Sequence, residues 1–336
     1  MALFSRELGI DLGTMYIRVA ESSQVVLQEP NVAAIVIDEQ KLVAWGQEAQ
    51  DMLGKVPESL EVTRPLLNGV IADYEVTENI LASLLRRMVG PLRFFSNPRV
   101  MVTVPWGVTS VERRAVHEAS LQAGSREAFL VWGPLAAALG VDLPIGTPSG
   151  NMLISLGGGA TQAAVMAMYG VVAAETLRKG GVALDEAIVS YVRKKYGLII
   201  GQLTAEQVKI RIGAAVPQDE EQTVEIQGQD QVSGLPRPAT LTTGEVVEAL
   251  RDPLGEIIET ARRVLEKTPP ELVSDIIDRG VALTGGGAML RGIDKLMTKE
   301  LGVPAYLVDN PTTCTAEGAA RALAMLPLIR RNLPPV

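Results

Sequence analysis

Three times along this chain a short apolar strand runs straight into a glycine-bearing turn. The turns are Asp11-Leu12-Gly13-Thr14, Gly157-Gly158-Gly159-Ala160-Thr161 and Thr284-Gly285-Gly286-Gly287-Ala288. A turn without Cβ atoms lets backbone N–H groups close on phosphate oxygens. A tight hairpin needs glycine with or without a ligand, so one such turn says little. Three of them, spread over both halves of the chain, point to loops converging on a nucleotide in an interdomain cleft. There is no Gly-x-x-x-x-Gly-Lys-Ser/Thr, and no strand–Gly-x-Gly-x-x-Gly–helix unit with a trailing acid, which argues against P-loop and dinucleotide-binding folds. The strand–glycine–strand pattern at Asp11 recurs at Ser155, which reads as an internal duplication with one hairpin per domain.

The rest of the chain fits two packed α/β domains. A length of 336 residues exceeds one comfortable core. A hydrophobic share of 47% with only 4% aromatics makes aliphatic burial carry the fold, as in parallel strands covered by helices. Periodic Ile80, Leu81, Leu84, Leu85 and Met88 predict a helix over 77–89, and 100–104 reads as a buried strand ended by Pro105. Thr109 with Glu112 forms a capping-box pattern opening a helix to about residue 123, with Gly124 at its C-terminus. Further helices are expected over 180–196, over 204–212 from a Thr204 cap with Gln207 at its third position, over 243–267 despite Pro253, and within 311–326. Residues 222–238 read as a small β insertion, and no low-complexity linker separates the domains.

Charge and cysteine usage narrow the function classes. A net charge of −8 and a pI near 5.0 argue against nucleic acid as a partner, since that needs a basic face. One cysteine and one histidine exclude a disulfide framework and disfavour a Cys/His zinc site, so a reducing cytoplasm is the expected home. The first residues lack the apolar core of a signal peptide. The longest nearly apolar run, 163–174, is about half of what a spanning helix needs, so a soluble or peripheral protein is expected.

Several long stretches carry a family resemblance. They include Gly9-Ile10-Asp11-Leu12-Gly13-Thr14, Gly69-Val70-Ile71-Ala72-Asp73-Tyr74, Val104-Pro105 with Val111-Glu112-Arg113-Arg114-Ala115-Val116, and Thr204-Ala205-Glu206. Thr268-Pro269-Pro270-Glu271-Leu272, Asp275-Ile276-Ile277-Asp278-Arg279-Gly280 and Leu283-Thr284-Gly285-Gly286-Gly287-Ala288 continue the series. Nearly end to end, the chain resembles the MreB family, the bacterial branch of the actin, sugar-kinase and heat-shock-chaperone ATPase superfamily. The resemblance implies an α/β actin-like fold: two duplicated ribonuclease H-like domains flank a nucleotide cleft, each with a smaller subdomain. The bounds would be 1–30, 76–140 and 312–336 (IA), 31–75 (IB), 141–180 with 245–311 (IIA), and 181–244 (IIB).

By the same resemblance the ligands are ATP or ADP with Mg²⁺. Asp11, Gly13, Thr14 and Met15 would form the first phosphate loop, with Asp11 holding the metal's hydration shell. Gly157, Gly158, Gly159, Ala160 and Thr161 would form the second. Glu206, Gln207, Val208 and Lys209 would cover the ribose and base, and Gly285, Gly286, Gly287 and Ala288 the adenine and α-phosphate. Taken alone, Glu206 and Lys209 also fit a solvated ion pair on one helix face. The implied function is a homopolymer of antiparallel paired protofilaments on an anionic membrane surface. It would lie at the inner face of the cell membrane, guiding the cell-wall elongation machinery and so determining cell shape. A sugar or acetate kinase is the alternative, disfavoured by the lack of an inserted substrate domain and of a spare substrate base. A chaperone-like ATPase is disfavoured because no peptide-binding domain follows.

The departures from the family pattern concentrate on hydrolysis. The family's second motif reads Asp-x-Gly-Gly-Gly-Thr-Thr-Glu, where this chain has Ser155-Leu156-Gly157-Gly158-Gly159-Ala160-Thr161-Gln162. Its usual Glu-Glu-Pro is Trp132-Gly133-Pro134 here, and the acid of a following Gly-Gly-Asp is Val182. The family's acids are therefore replaced at Gly133, Ser155 and Gln162, which predicts weak or lost hydrolysis. A second signal is the paired Phe94 and Phe95 between a predicted helix and strand, with Leu3 and Phe4 at the N-terminus. They match the family's membrane-inserting segments, and Arg6 and Arg93 suit anionic headgroups.

Overall fold

The computed structural model describes residues 6–39, 41–90 and 97–336. Two five-stranded sheets organise it. The first contains, in chain order, Glu7–Leu12, Tyr16–Glu21, Gln24–Pro30, Arg99–Val104 and Glu127–Trp132. The second contains Asn151–Leu156, Thr161–Ala167, Gly170–Leu177, Val281–Thr284 and Ala305–Leu307. In both, the spatial order is third, second, first, fourth, fifth. In both, the first three strands run as antiparallel hairpins and the last two add parallel to the first. The duplication expected from the recurring hairpin is thus a duplication of whole sheets.

Burial explains the composition of these strands. Arg99–Val104 is buried at every position but its first, and Val281–Thr284 throughout. Strands covered on both faces need continuous apolar runs. Each sheet carries its own large buried cluster, one around Leu8, Ile10, Val100 and Val102, the other around Ile154, Val165, Leu283 and Ile257. Helices Gly133–Gly140 and Cys314–Ala324 pack against each other beside the first sheet, and Thr243–Glu266 lies on the second. Two small sheets stand apart from the large ones. One joins Lys41–Trp45, Ala33–Val36 and Leu60–Thr63, the other Leu198–Ile199, Thr223–Asp230 and Pro236–Thr242.

Local signals translate well. The Thr109 capping box forms at both ends, Thr109 Oγ1 accepting from Glu112 N at 3.2 Å and Glu112 Oε2 accepting from Thr109 N at 2.7 Å. A start at Thr204 requires correction. That helix is Gln202–Ile212, because Ala205 N already donates to Gly201 O at 3.2 Å, and its N-cap Gly201 has no side chain with which to cap it. The apolar run at 163–174 is a hairpin that reverses at Met168 and Tyr169, both at positive φ. Among the described residues no helix is long and apolar enough to cross a membrane.

Candidate functional site

The first glycine turn is held from three sides. Gly13 N donates to Tyr16 O at 3.1 Å, Asn31 Nδ2 donates to Gly13 O at 2.8 Å, and Gly69 N donates to Thr14 Oγ1 at 2.9 Å. Asp11, at the exit of the first strand, accepts from Thr103 Oγ1 at 3.2 Å and lies 3.8 Å from Arg18 Nη1. Burial pushes the Asp11 carboxyl above its ordinary pKa, while Arg18 and Thr103 pull the other way. A carboxylate in that state gains from a cation.

The second turn meets the first directly. A Cβ at Gly158 would run into the Met15 side chain, and one at Gly159 into Thr14. These two glycines are thus required by the contact between the hairpins, whatever ligand they serve. The carbonyls of Gly157 and Gly158 accept from Gly181 N and Val182 N at 2.9 Å each, tying the loop to the start of helix Gly181–Tyr196. The third turn rests on the same strand end: Gly285, at φ +84°, leaves no room for a Cβ against the backbone of Leu156.

Opposite these loops, helix Gln202–Ile212 presents Glu206 and Lys209 to the cleft. They do not form the simple surface pair that their spacing allows. Lys209 Nζ sits 2.7 Å from Asp185 Oδ1 and donates to Gly181 O at 3.0 Å. The Asp185 side chain is 1% exposed, and burial pushes its pKa up to about 6, opposed by Lys209 and reinforced by nearby Glu206. Across the cleft, Arg64 follows the small-sheet strand Leu60–Thr63 and lies in the field of Glu206, Tyr16 and Asp185. Its Nη1 is buried without a hydrogen bond.

Two tryptophans back the wall at Gly133 and Gln162. Trp106 and Trp132 pack at 4.8 Å between ring centroids, tilted by 59°. The Trp106 backbone is held on both sides of its Cα, its N–H donating to Gln162 Oε1 at 2.8 Å and its carbonyl accepting from Thr176 Oγ1 at 2.8 Å. A Cβ at Gly133 would lie 3.1 Å from Gln162 Nε2.

The three glycine turns, helix Gln202–Ile212 and the wall at Gly133 and Gln162 line one cleft of about 630 Å³. It brings together Asp11, Gly13, Thr14, Met15, Gly133, Ser155, Gly157, Gly158, Gly159, Ala160, Gln162, Glu206, Lys209, Gly285, Gly286 and Gly287. Four expected residues do not line it. Thr161, Val208 and Ala288 are buried, and Gln207 faces solvent on the far side of its helix. Asp185, Arg18, Arg64 and Thr103 escape the sequence reading. Asp185 alone leaves a trace, as an acid in phase with buried Leu184, Ile188 and Val192. No cluster of three or more His, Cys, Asp or Glu among the described residues could hold a metal. Asp11 alone fits Mg²⁺, which keeps most of its waters and needs one or two carboxylates beside phosphate oxygens. Leu3, Phe4, Arg93, Phe94 and Phe95 lie outside the described residues.

Comparison with known proteins decides the family. The family model described as MreB/Mbl protein matches residues 5–331. The chain belongs to the MreB/Mbl family. The cell shape-determining protein MreB of Escherichia coli strain K12 is 44% identical over 329 residues, covering 96% of this chain and 95% of that protein. The cell shape-determining protein Mbl of Bacillus subtilis strain 168 is 42% identical, covering 94% and 95%. The crystal structure of MreB5 of Spiroplasma citri bound to ADP superposes with a TM-score of 0.91 at 32% identity, covering 98% of this chain and 99% of that one. The same protein bound to AMPPNP gives the same score. MamK, at 22% identity and a TM-score of 0.80, shares the fold. The fold is therefore actin-like, as MreB/Mbl membership implies, and the kinase alternative finds no support in these relatives.

Proposed function

We propose that this chain is an actin-like cytoskeletal protein that binds adenine nucleotide, polymerises, and takes part in determining cell shape. The observation that carries the reading is the convergence of the three glycine turns on one cleft between two sheets of identical topology. The names of the MreB and Mbl relatives and the ADP and AMPPNP of MreB5 support it. Phosphates would meet the first two turns, Glu206 and Lys209 the sugar and base, and Gly285–Gly287 the adenine side. Mg²⁺ would sit beside Asp11 and neutralise phosphate charge. Subdomain bounds follow those given above.

The finer reading is a head-to-tail polymer of antiparallel paired protofilaments, peripheral to the inner face of the cell membrane, engaging anionic lipid and the wall-elongation machinery. A heterologous contact between identical subunits gives an open filament. Hydrolysis would be slow. Ser155 offers no second carboxylate, Gly133 no group to orient water and Ala160 no hydroxyl, and one such group is typically worth about 10²–10⁴ in rate. Electron microscopy with ATP and anionic liposomes tests the core of this reading. Filaments are expected, and a strictly monomeric protein across concentration would overturn it. Phosphate release from polymerised protein should stay near background.

A further inference from the structure

The Gln162 side chain has one end committed and one end free. Its Oε1 accepts from Trp106 N at 2.8 Å, and an N–H donor requires an oxygen there, so the orientation of the amide is fixed. Trp106 is itself held, since Thr176 Oγ1 donates to its carbonyl and the Trp132 ring packs on its own. Nε2 donates no hydrogen bond within the described residues and lies beside the space left open at Gly133. Gln162 lines the same wall of the cleft as Gly133 and Ser155. That wall carries no carboxylate; Asp11 is on the other loop.

We infer that Gln162 is a terminal-phosphate donor: its Nε2 hydrogen-bonds the last phosphate of a bound nucleoside triphosphate and makes the cleft prefer triphosphate over diphosphate. This rests on the nucleotide reading above and adds a specificity-determining residue to it. A general base must take up a proton, which a neutral carboxamide cannot do at working pH, and one acceptor site of Oε1 is already committed to Trp106 N. The free end, Nε2, is a neutral donor, which suits an anionic phosphate. The carboxamide is thus placed to retain a terminal phosphate rather than help remove it.

Gln162→Glu isolates the claim. A carboxylate still accepts from Trp106 N, so the wall is kept, while the free end changes from donor to anion. AMPPNP and ADP would be titrated into wild type, Gln162→Glu and the near-isosteric Gln162→Met. The expected result is a loss of about tenfold to a hundredfold in AMPPNP affinity for Gln162→Glu. Gln162→Met should lose less, and ADP affinity should stay within about twofold in both. Equal losses for the two nucleotides, or no loss for AMPPNP, would overturn the assignment. A wild-type protein that binds neither nucleotide would remove the underlying reading and this proposal together. Weak AMPPNP binding beside normal ADP binding in wild type would refute the donor role alone.

Discussion

Asp185 sits in surroundings that an aspartate does not prefer. It is 1% exposed, its nearest charge is Lys209 Nζ at 2.7 Å, and its pKa stands at about 6 against an ordinary 3.8. Desolvation outweighs the neighbouring ammonium, so between those values the folded chain holds a proton that the unfolded chain has released. Stability then falls as pH rises through that window. Carboxylates held low by ion pairs, such as Glu175 beside Arg263, give the opposite slope. The informative measurement is therefore a difference: thermal melts of wild type and Asp185→Asn between pH 4 and 7. The variant has no proton to lose, so its stability should gain on wild type as pH rises. Parallel curves would show that Lys209 fully compensates the burial.

At the scale of elements, the tightest joint is between helices Gly133–Gly140 and Cys314–Ala324. A Cβ at Gly140 would overlap the Cys314 carbonyl, and one at Gly318 would overlap that of Ala136. Both obstacles are backbone atoms inside helices and cannot swing aside. Alanine normally improves a helix interior by about 1 kcal/mol over glycine. Here overpacking, typically about 1–3 kcal/mol and sometimes more, should win. Gly140→Ala and Gly318→Ala are expected to lower the denaturation midpoint, whereas Gly255→Ala, in helix Thr243–Glu266 with open space around it, should not. An unchanged midpoint for both buried variants would refute this packing argument. The same joint marks where sequence reading stops. Strands ending in glycine turns, the Thr109 cap and helix Tyr74–Val89 are legible because their signals are local. Helix Gly133–Gly140 is buried at every position, so Gly-Pro-Leu-Ala-Ala-Ala-Leu-Gly carries no polar face to set a period. In the cleft, the glycine turns are legible, but the Lys209–Asp185 pair and the Trp106 clamp on Gln162 join residues 24 and 56 positions apart and leave no local pattern.

For the whole molecule, membrane attachment is a question of number. The proposal gives it to Phe94 and Phe95, with Leu3 and Phe4 in support. Burying one Phe side chain in an apolar phase is worth roughly 1.5–3 kcal/mol, so two of them hold a single subunit only weakly against its loss of freedom. A filament presents the same residues many times on one rigid body. After the first contact, each further insertion is effectively intramolecular, and avidity can exceed the single-site affinity by about 10²–10⁴. Attachment should therefore appear only where the protein polymerises. Phe94→Ser combined with Phe95→Ser should leave filaments visible by electron microscopy while abolishing their co-sedimentation with anionic liposomes. High salt should weaken wild-type binding only in part, because Arg93 supplies the screened component and the aromatic rings the rest, whereas Arg6, expected to join it, is held by the Glu21 carboxylate and the Met88 carbonyl. A double variant that still sediments with liposomes as wild type does would move the attachment site elsewhere on the chain. If monomers held below the polymerisation threshold bind liposomes as tightly as filaments do, the role assigned to multivalency is wrong.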